Sequence, residues 1–167
     1  WWGGEIQASR QIGTGHRVLA GAEYRKNEQQ EQSYLDDKND PTSSLLDSRE
    51  DSNYRAAFVQ GEFQLHSKLS LNAGVRHDHY STFGSTTNPR LALVADPTEC
   101  TTLKFLYGEA FRAPNAYELY YDDDAYQKAN PDLNPETITT YEIVWEQKDE
   151  TVMMDIPLDA LVGDCLM

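Results

Sequence analysis

Three aspartates and four tyrosines crowd one short stretch of this sequence. Asp122, Asp123 and Asp124 lie among Tyr117, Tyr120, Tyr121 and Tyr126 within FRAPNAYELYYDDDAYQKANPDLNPE, residues 111–136. Aromatic faces suit flat, apolar or cationic ligands, and rings gathered at a loop tip are the residues expected to meet one. The aspartates read in two ways, as part of that surface or as a solvated turn. They do not read as a metal site, because a calcium-binding loop needs alternating ligands and a glycine at its bend.

The same stretch carries groups suited to holding it in place. Pro114 pushes Ala113 out of the helical region, so the chain is expected to leave its strand extended. Ala116, Leu119 and Tyr120 then fall on one side of a short helical turn. Asn130-Pro131 and Asn134-Pro135 each put a proline at the second position of a turn behind an Asx side chain, with Leu133 as an anchor. Arg112, Glu118 and Glu136 have the charges to pair across the base of the loop. Arg112, Pro114, Glu118, Asn130, Pro131, Leu133, Pro135 and Glu136 are therefore expected to set geometry, since residues beside strand ends fix shape while loop tips vary and bind.

Other chemistry is less specific. His77 and His79 put two imidazoles on one strand face, a spacing that can chelate a metal. That face is expected at the lipid or interface level, whereas binding sites are concave, so no metal is assigned. Glu109 and Glu118 can be posed as an acid pair for glycoside hydrolysis, but among 28 acidic residues no one pairing is specific. No Ser/His spacing marks an activated nucleophile, so no catalytic residue is assigned and an enzyme is not expected. Cys100 and Cys165 lack the CxxC spacing of a zinc site, and no cofactor is implied.

The elements that must position these groups are strands. Ala57, Val59, Gly61, Phe63 and Leu65 alternate with Gln60, Glu62 and Gln64; Leu69, Leu71, Ala73 and Val75 alternate with Ser70, Asn72, Gly74, Arg76 and Asp78. Only LHSK separates the two runs, which makes them an antiparallel hairpin. The same period of two recurs near residues 4–10, 17–25, 90–94, 102–108 and 140–145, giving seven candidate strands. Most approach the roughly 9 to 11 residues that a tilted strand needs to cross a bilayer. Short turns at 12–15, 65–68 and 96–101 interleave with longer polar links at 27–52 and 81–87, so short turns fall at one end of the sheet and long loops at the other.

Such loop asymmetry with one polar and one apolar face per strand predicts an all-β fold, an antiparallel transmembrane β-barrel with a watery interior. Arg55, Glu62, Arg76, Asp78, Lys104 and Glu142 are read as its polar face. Tyr24, Tyr54, Tyr80, Tyr107, Tyr141 and Trp145 are read as an aromatic girdle near the strand ends. An interior this polar does not suit the smallest barrels, which are packed with side chains, so the strands are expected to be part of a larger one.

Composition agrees. In 167 residues the formal charge is −14, with ten tyrosines and three tryptophans. That balance argues against nucleic acid, whose phosphates require clustered Lys and Arg. No run of about 20 apolar residues marks a membrane helix. The chain begins at Trp1 without a start methionine or signal peptide, and a piece of something longer is the simplest expectation.

Three ordered motifs carry a resemblance. GVRHDHYSTFGSTTNPRLAL at 74–93, LKFLYGEAFRAPNAYELYY at 103–121 and NPDLNPETITTYEI at 130–143 are similar to the barrel of a TonB-dependent outer-membrane receptor. The similarity spans about residues 54–147. It implies a barrel of about 22 strands, of which this chain is about seven up-and-down strands with short periplasmic turns and long extracellular loops. It also implies location in the outer membrane of a Gram-negative bacterium. The implied partners are outer-membrane lipid, the TonB energy-transducing protein through a plug domain absent here, and a small-molecule nutrient or metal chelate of the ferric siderophore, haem or cobalamin class.

Two other readings compete with uptake: a soluble β-sandwich that binds ligand, and a hydrolase built in a barrel. Residues 1–149 read as partial barrel, whereas 150–167, TVMMDIPLDALVGDCLM with the Glu before it, lose the alternation and contain Pro157. That tail is left unassigned, and a truncated product with a tail read in another frame is expected.

Overall fold

Alternation of small or apolar with polar residues builds seven strands in the computed structural model, which describes residues 1–35, 44–122 and 128–148. They are β1 (Trp2–Ile12), β2 (His16–Leu35), β3 (Ser44–His66), β4 (Leu69–Tyr80), β5 (Gly84–Thr98), β6 (Thr101–Arg112) and β7 (Glu136–Gln147), with one short helix α1 (Ala116–Tyr120) before β7. All seven lie in one sheet in chain order, each antiparallel to its neighbours. Among the described residues the sheet is not closed, with β1 and β7 at its edges.

Tight turns join the strands at one end, over residues 13–15, 67–68 and 99–100. Gly13 and Gly15 have φ of 63° and 91°, a left-handed backbone that a side chain disfavours. At the other end two expectations are corrected. The link at 81–87 is a turn of residues 81–83, after which Gly84 (φ 93°) opens β5. Residues 27–52 are not simply a loop: β2 and β3 stay paired through Gln30↔Glu50 to Leu35↔Ser44, with register shifts between Asn27 and Gln30 and between Tyr34 and Leu35. Backbone pairing needs no apolar pattern where both faces of a ribbon are wet, so polarity alone does not mark the end of a strand.

Cross-strand partners share a face. Val59, Val75 and Pro89 form one row, and Phe63, Leu71 and Leu93 another. On the opposite face Gln60, Gly74 and Arg90 align, as do Glu62, Asn72 and Ala92. Parity corrects two sequence readings. Arg55 pairs with Tyr24 and His79 on the apolar side, at its far end, and not on the polar face. Tyr54 and Tyr80 share the side of Asp78 and stack on each other at 4.9 Å, so they are not in an outward girdle.

Among the described residues the apolar face has no second layer against it. Among the described residues only Ala56 and Leu119 are buried apolar side chains, whereas Ile6 is 74%, Ile143 75% and Trp145 71% exposed. A sandwich would bury this face between two sheets, so the single sheet overturns the sandwich reading. Residues 149–167, which hold nearly all of the unassigned tail, lie outside the described residues.

Candidate functional site

Where β6 ends and β7 begins, Arg112 and Glu136 are paired in register. Arg112 donates to Glu136 from Nε at 3.0 Å and from Nη2 at 2.7 Å. Its Nη1 donates to both oxygens of Glu118, at 2.9 and 3.0 Å. One guanidinium thus ties the two strand ends to α1.

The helix itself is held by a capping box. Asn115, extended at φ −87° and ψ 168°, accepts from the Glu118 N–H through Oδ1 at 2.9 Å, and Glu118 Oε2 accepts from the Asn115 N–H at 2.9 Å. Glu118 therefore serves cap and clamp together. Its carboxyl is held below the ordinary range, first by the Asn115 N–H and then by Arg112, and Arg112 holds Glu136 low as well.

Behind the clamp, Leu119 is 2% exposed, and Tyr120 is half-buried with its phenol pushed up by that burial. The Tyr121 N–H closes onto the Tyr117 carbonyl at 3.1 Å, which brings those two rings into a stack at 4.4 Å. Tyr117 is 48% exposed. Asp122 accepts from the Ala129 N–H at 3.4 Å, bridging the two sides of the tip. Asp123, Asp124 and Tyr126 lie outside the described residues.

The second half of the loop differs in part from expectation. The Leu133 N–H bonds the Asn130 carbonyl at 3.2 Å, closing a turn with Pro131 at its second position. Among the described residues no such bond closes a turn at Asn134-Pro135, where the chain runs extended into β7. Pro135 fixes φ there but heads a strand, a position that proline tolerates because its missing N–H lies before the ladder.

The wall below brings together groups whose meeting the sequence reading did not foresee. Arg76 donates to Glu23 Oε2 at 2.8 Å and to Asp78 Oδ1 at 2.9 Å, and Tyr54 donates its hydroxyl to Glu23. Asp78 is 2% exposed. Tyr80 also meets Phe83 at 4.6 Å and the edge of Phe111 at 5.9 Å. Odd positions on β2 against even ones on β3 and β4 would have placed Glu23 beside Arg76, given the register, but no residue pattern announces that register. Phe58, Arg76, Asp78, Asn88 and Arg90 line an open recess on this wall.

Of the two carboxylates posed as an acid pair, Glu109 accepts from Tyr107 and Glu118 from Arg112. His77 and His79 share a face as expected, but each bonds a hydroxyl, and no metal-binding group occurs among the described residues.

Residues 1–155 match the family described as TonB dependent receptor-like, beta-barrel. The chain belongs to this family of TonB-dependent receptors. Solved structures of ferric enterobactin and siderophore receptors share its fold. A ferric enterobactin receptor of Pseudomonas aeruginosa, solved with enterobactin, is 23% identical with a TM-score of 0.69, over 89% of this chain and 24% of that one. The siderophore receptor PirA of Pseudomonas aeruginosa is 25% identical with a TM-score of 0.65, over 89% and 28%. PirA of Acinetobacter baumannii is 19% identical with a TM-score of 0.65, over 89% and 24%. The chain thus spans about a quarter of the length of these receptors. No curated protein sequence matches it. The matched family and the solved proteins of similar fold are described as receptors.

Proposed function

We propose that this chain forms part of the wall and mouth of a Gram-negative outer-membrane receptor that takes up a ferric siderophore. The observation that carries the proposal is the clamped loop: Arg112 ties both strand ends to a helix presenting the Tyr117–Tyr121 stack. In this reading Arg112, Pro114, Glu118, Asn130, Pro131, Leu133, Pro135 and Glu136 set the loop. Tyr117, Tyr120, Tyr121, Asp122, Asp123, Asp124 and Tyr126 meet ligand. Stacked, partly exposed rings suit a flat or aromatic chelate.

The siderophore class is favoured over haem and cobalamin because the receptors of similar fold are described as siderophore and ferric enterobactin receptors. Transport through such a wall requires a plug domain and the TonB protein as energy source, and these are the partners proposed.

The test is surface binding on iron-limited cells that express the receptor containing this chain, with labelled ferric enterobactin, haemin and cyanocobalamin as probes. Ferric enterobactin retained by the outer-membrane fraction, and weakened by the Tyr117→Ala/Tyr121→Ala double variant at unchanged folded yield, is the expected result. Retention of haemin or cyanocobalamin alone would overturn the siderophore assignment. Full retention in the double variant would remove the two tyrosines from the site.

A further inference from the structure

The outward face changes character at one level across three neighbouring strands. On β3 it runs Leu65, Phe63, Gly61, Val59 and Ala57, then Arg55; on β4 it runs Leu69, Leu71, Ala73 and Val75, then His77 and His79. On β5 it runs Leu93, Leu91 and Pro89, then Thr87 and Ser85. From Leu65 to Ala57 the strand climbs about 26 Å, or about 20 Å of height at the usual tilt, close to the roughly 25 Å apolar band of such barrels. The polar residues therefore begin where hydrocarbon ends.

Register gathers them into one patch. Ala57, His77 and Thr87 share a row, and Tyr24, Arg55, His79 and Ser85 share the next. One row further on, Lys26 stands opposite Trp2 and Asn53. His77 Nδ1 lies 2.8 Å from Thr87 Oγ1, and His79 Nδ1 lies 2.8 Å from Ser85 Oγ, so both rings are fixed. Their Nε2 atoms have no hydrogen-bond partner among the described residues. Neither Arg55 nor Lys26 has an ion-pair partner among the described residues. Glu28, two residues past Lys26, is held by the Trp2 indole N–H at 3.1 Å, and Asp51 lies four residues past Arg55. A chain of formal charge −14 thus places two uncommitted cations and two anchored imidazoles on its lipid side.

We propose that this patch binds the phosphate-bearing headgroups of lipids packed against the barrel at its long-loop end; the proposal rests on the outer-membrane reading above. Arg55 and Lys26 supply the charge, and the guanidinium matches two phosphate oxygens at once. His77 and His79 supply directed hydrogen bonds from Nε2. Long basic stems lie along the apolar surface while their heads reach the headgroup layer.

The test uses the full chain in neutral detergent micelles doped with phosphatidic acid or, as the zwitterionic control, phosphatidylcholine. Wild-type protein should retain phosphatidic acid preferentially. The Lys26→Ala/Arg55→Ala variant should lose roughly thirtyfold in apparent affinity, by the charge attraction of two basic residues to an anionic lipid surface. Lys26→Arg/Arg55→Lys should keep the preference, which separates charge from a folding defect. Arg17→Ala/Lys104→Ala, which removes two cations from the inward face, should leave it unchanged. An unaltered preference in Lys26→Ala/Arg55→Ala, or an equal loss in Arg17→Ala/Lys104→Ala, would overturn the site while the barrel reading stands. A chain that stays monomeric in buffer without detergent would overturn the membrane reading, and the lipid site with it.

Discussion

Arg112 and Glu136 face each other across β6 and β7, and the guanidinium grips the carboxylate through two bonds of 3.0 and 2.7 Å. The fork is planar and fixed, which a lysine ammonium does not reproduce. Arg112→Ala should leave the strands paired but free α1 from the strand ends, speeding protease cleavage between residues 113 and 135 several-fold. Arg112→Lys should fall between the two, because one ammonium cannot serve Glu118 and Glu136 with matched geometry. Equal cleavage rates for all three proteins would show that the clamp does not restrain the loop.

Acid should open the same clamp. Glu118 and Glu136 both have carboxyls held below their ordinary value, the first chiefly by the Asn115 N–H and the second by Arg112. Groups lowered on folding contribute stability that is present above the unfolded value, about 4.3 for Glu, and lost as pH falls through the lower folded values. Amide hydrogen exchange of residues 113–122, corrected for its intrinsic pH dependence, should therefore rise below about pH 4.3. In Glu118→Gln/Glu136→Gln the loop should exchange fast at every pH, and an acid-induced rise that persists in that variant would assign it to other groups.

On the inner wall, Asp78 is 2% exposed and depends on Arg76, itself 37% exposed. Removing the cation strands a buried carboxylate. Arg76→Gln should cost about 2–3 kcal/mol, less than a fully buried pair because water reaches the guanidinium. Urea unfolding in detergent should show that loss, and Arg76→Gln/Asp78→Asn should recover part of it. A double variant no better than the single one would mean that Asp78 is not the group left unsatisfied.

The two faces should also differ in tolerance. Ala73→Lys puts a cation at the middle of the apolar band, in the row of Gly61 and Leu91, and should destabilise the membrane-inserted sheet by about 2–4 kcal/mol. Gln60→Lys adds the same charge to the wet face and should change stability by less than about 1 kcal/mol. Unfolding of both variants from lipid vesicles, followed by tryptophan fluorescence, measures the difference. Similar costs would contradict the assignment of faces.

Much of this was written in the sequence. A period of two determines strands and their two faces, because side-chain direction along a strand depends only on parity. Pro114 marked where the chain leaves its strand, Ala116, Leu119 and Tyr120 marked the helical turn, and the ordered motifs around Arg112 and Glu136 marked the family. Tertiary structure alone decided which charges meet on the inner wall. Glu23 and Arg76 are 53 residues apart and join only because two registers bring them to one face. Arg55 went to the apolar side for the same reason, since one residue of register reverses every side chain. The paired extension of β2 and β3 past Asn27 left no apolar trace, because a ribbon wet on both faces is held by backbone hydrogen bonds that any side chain permits.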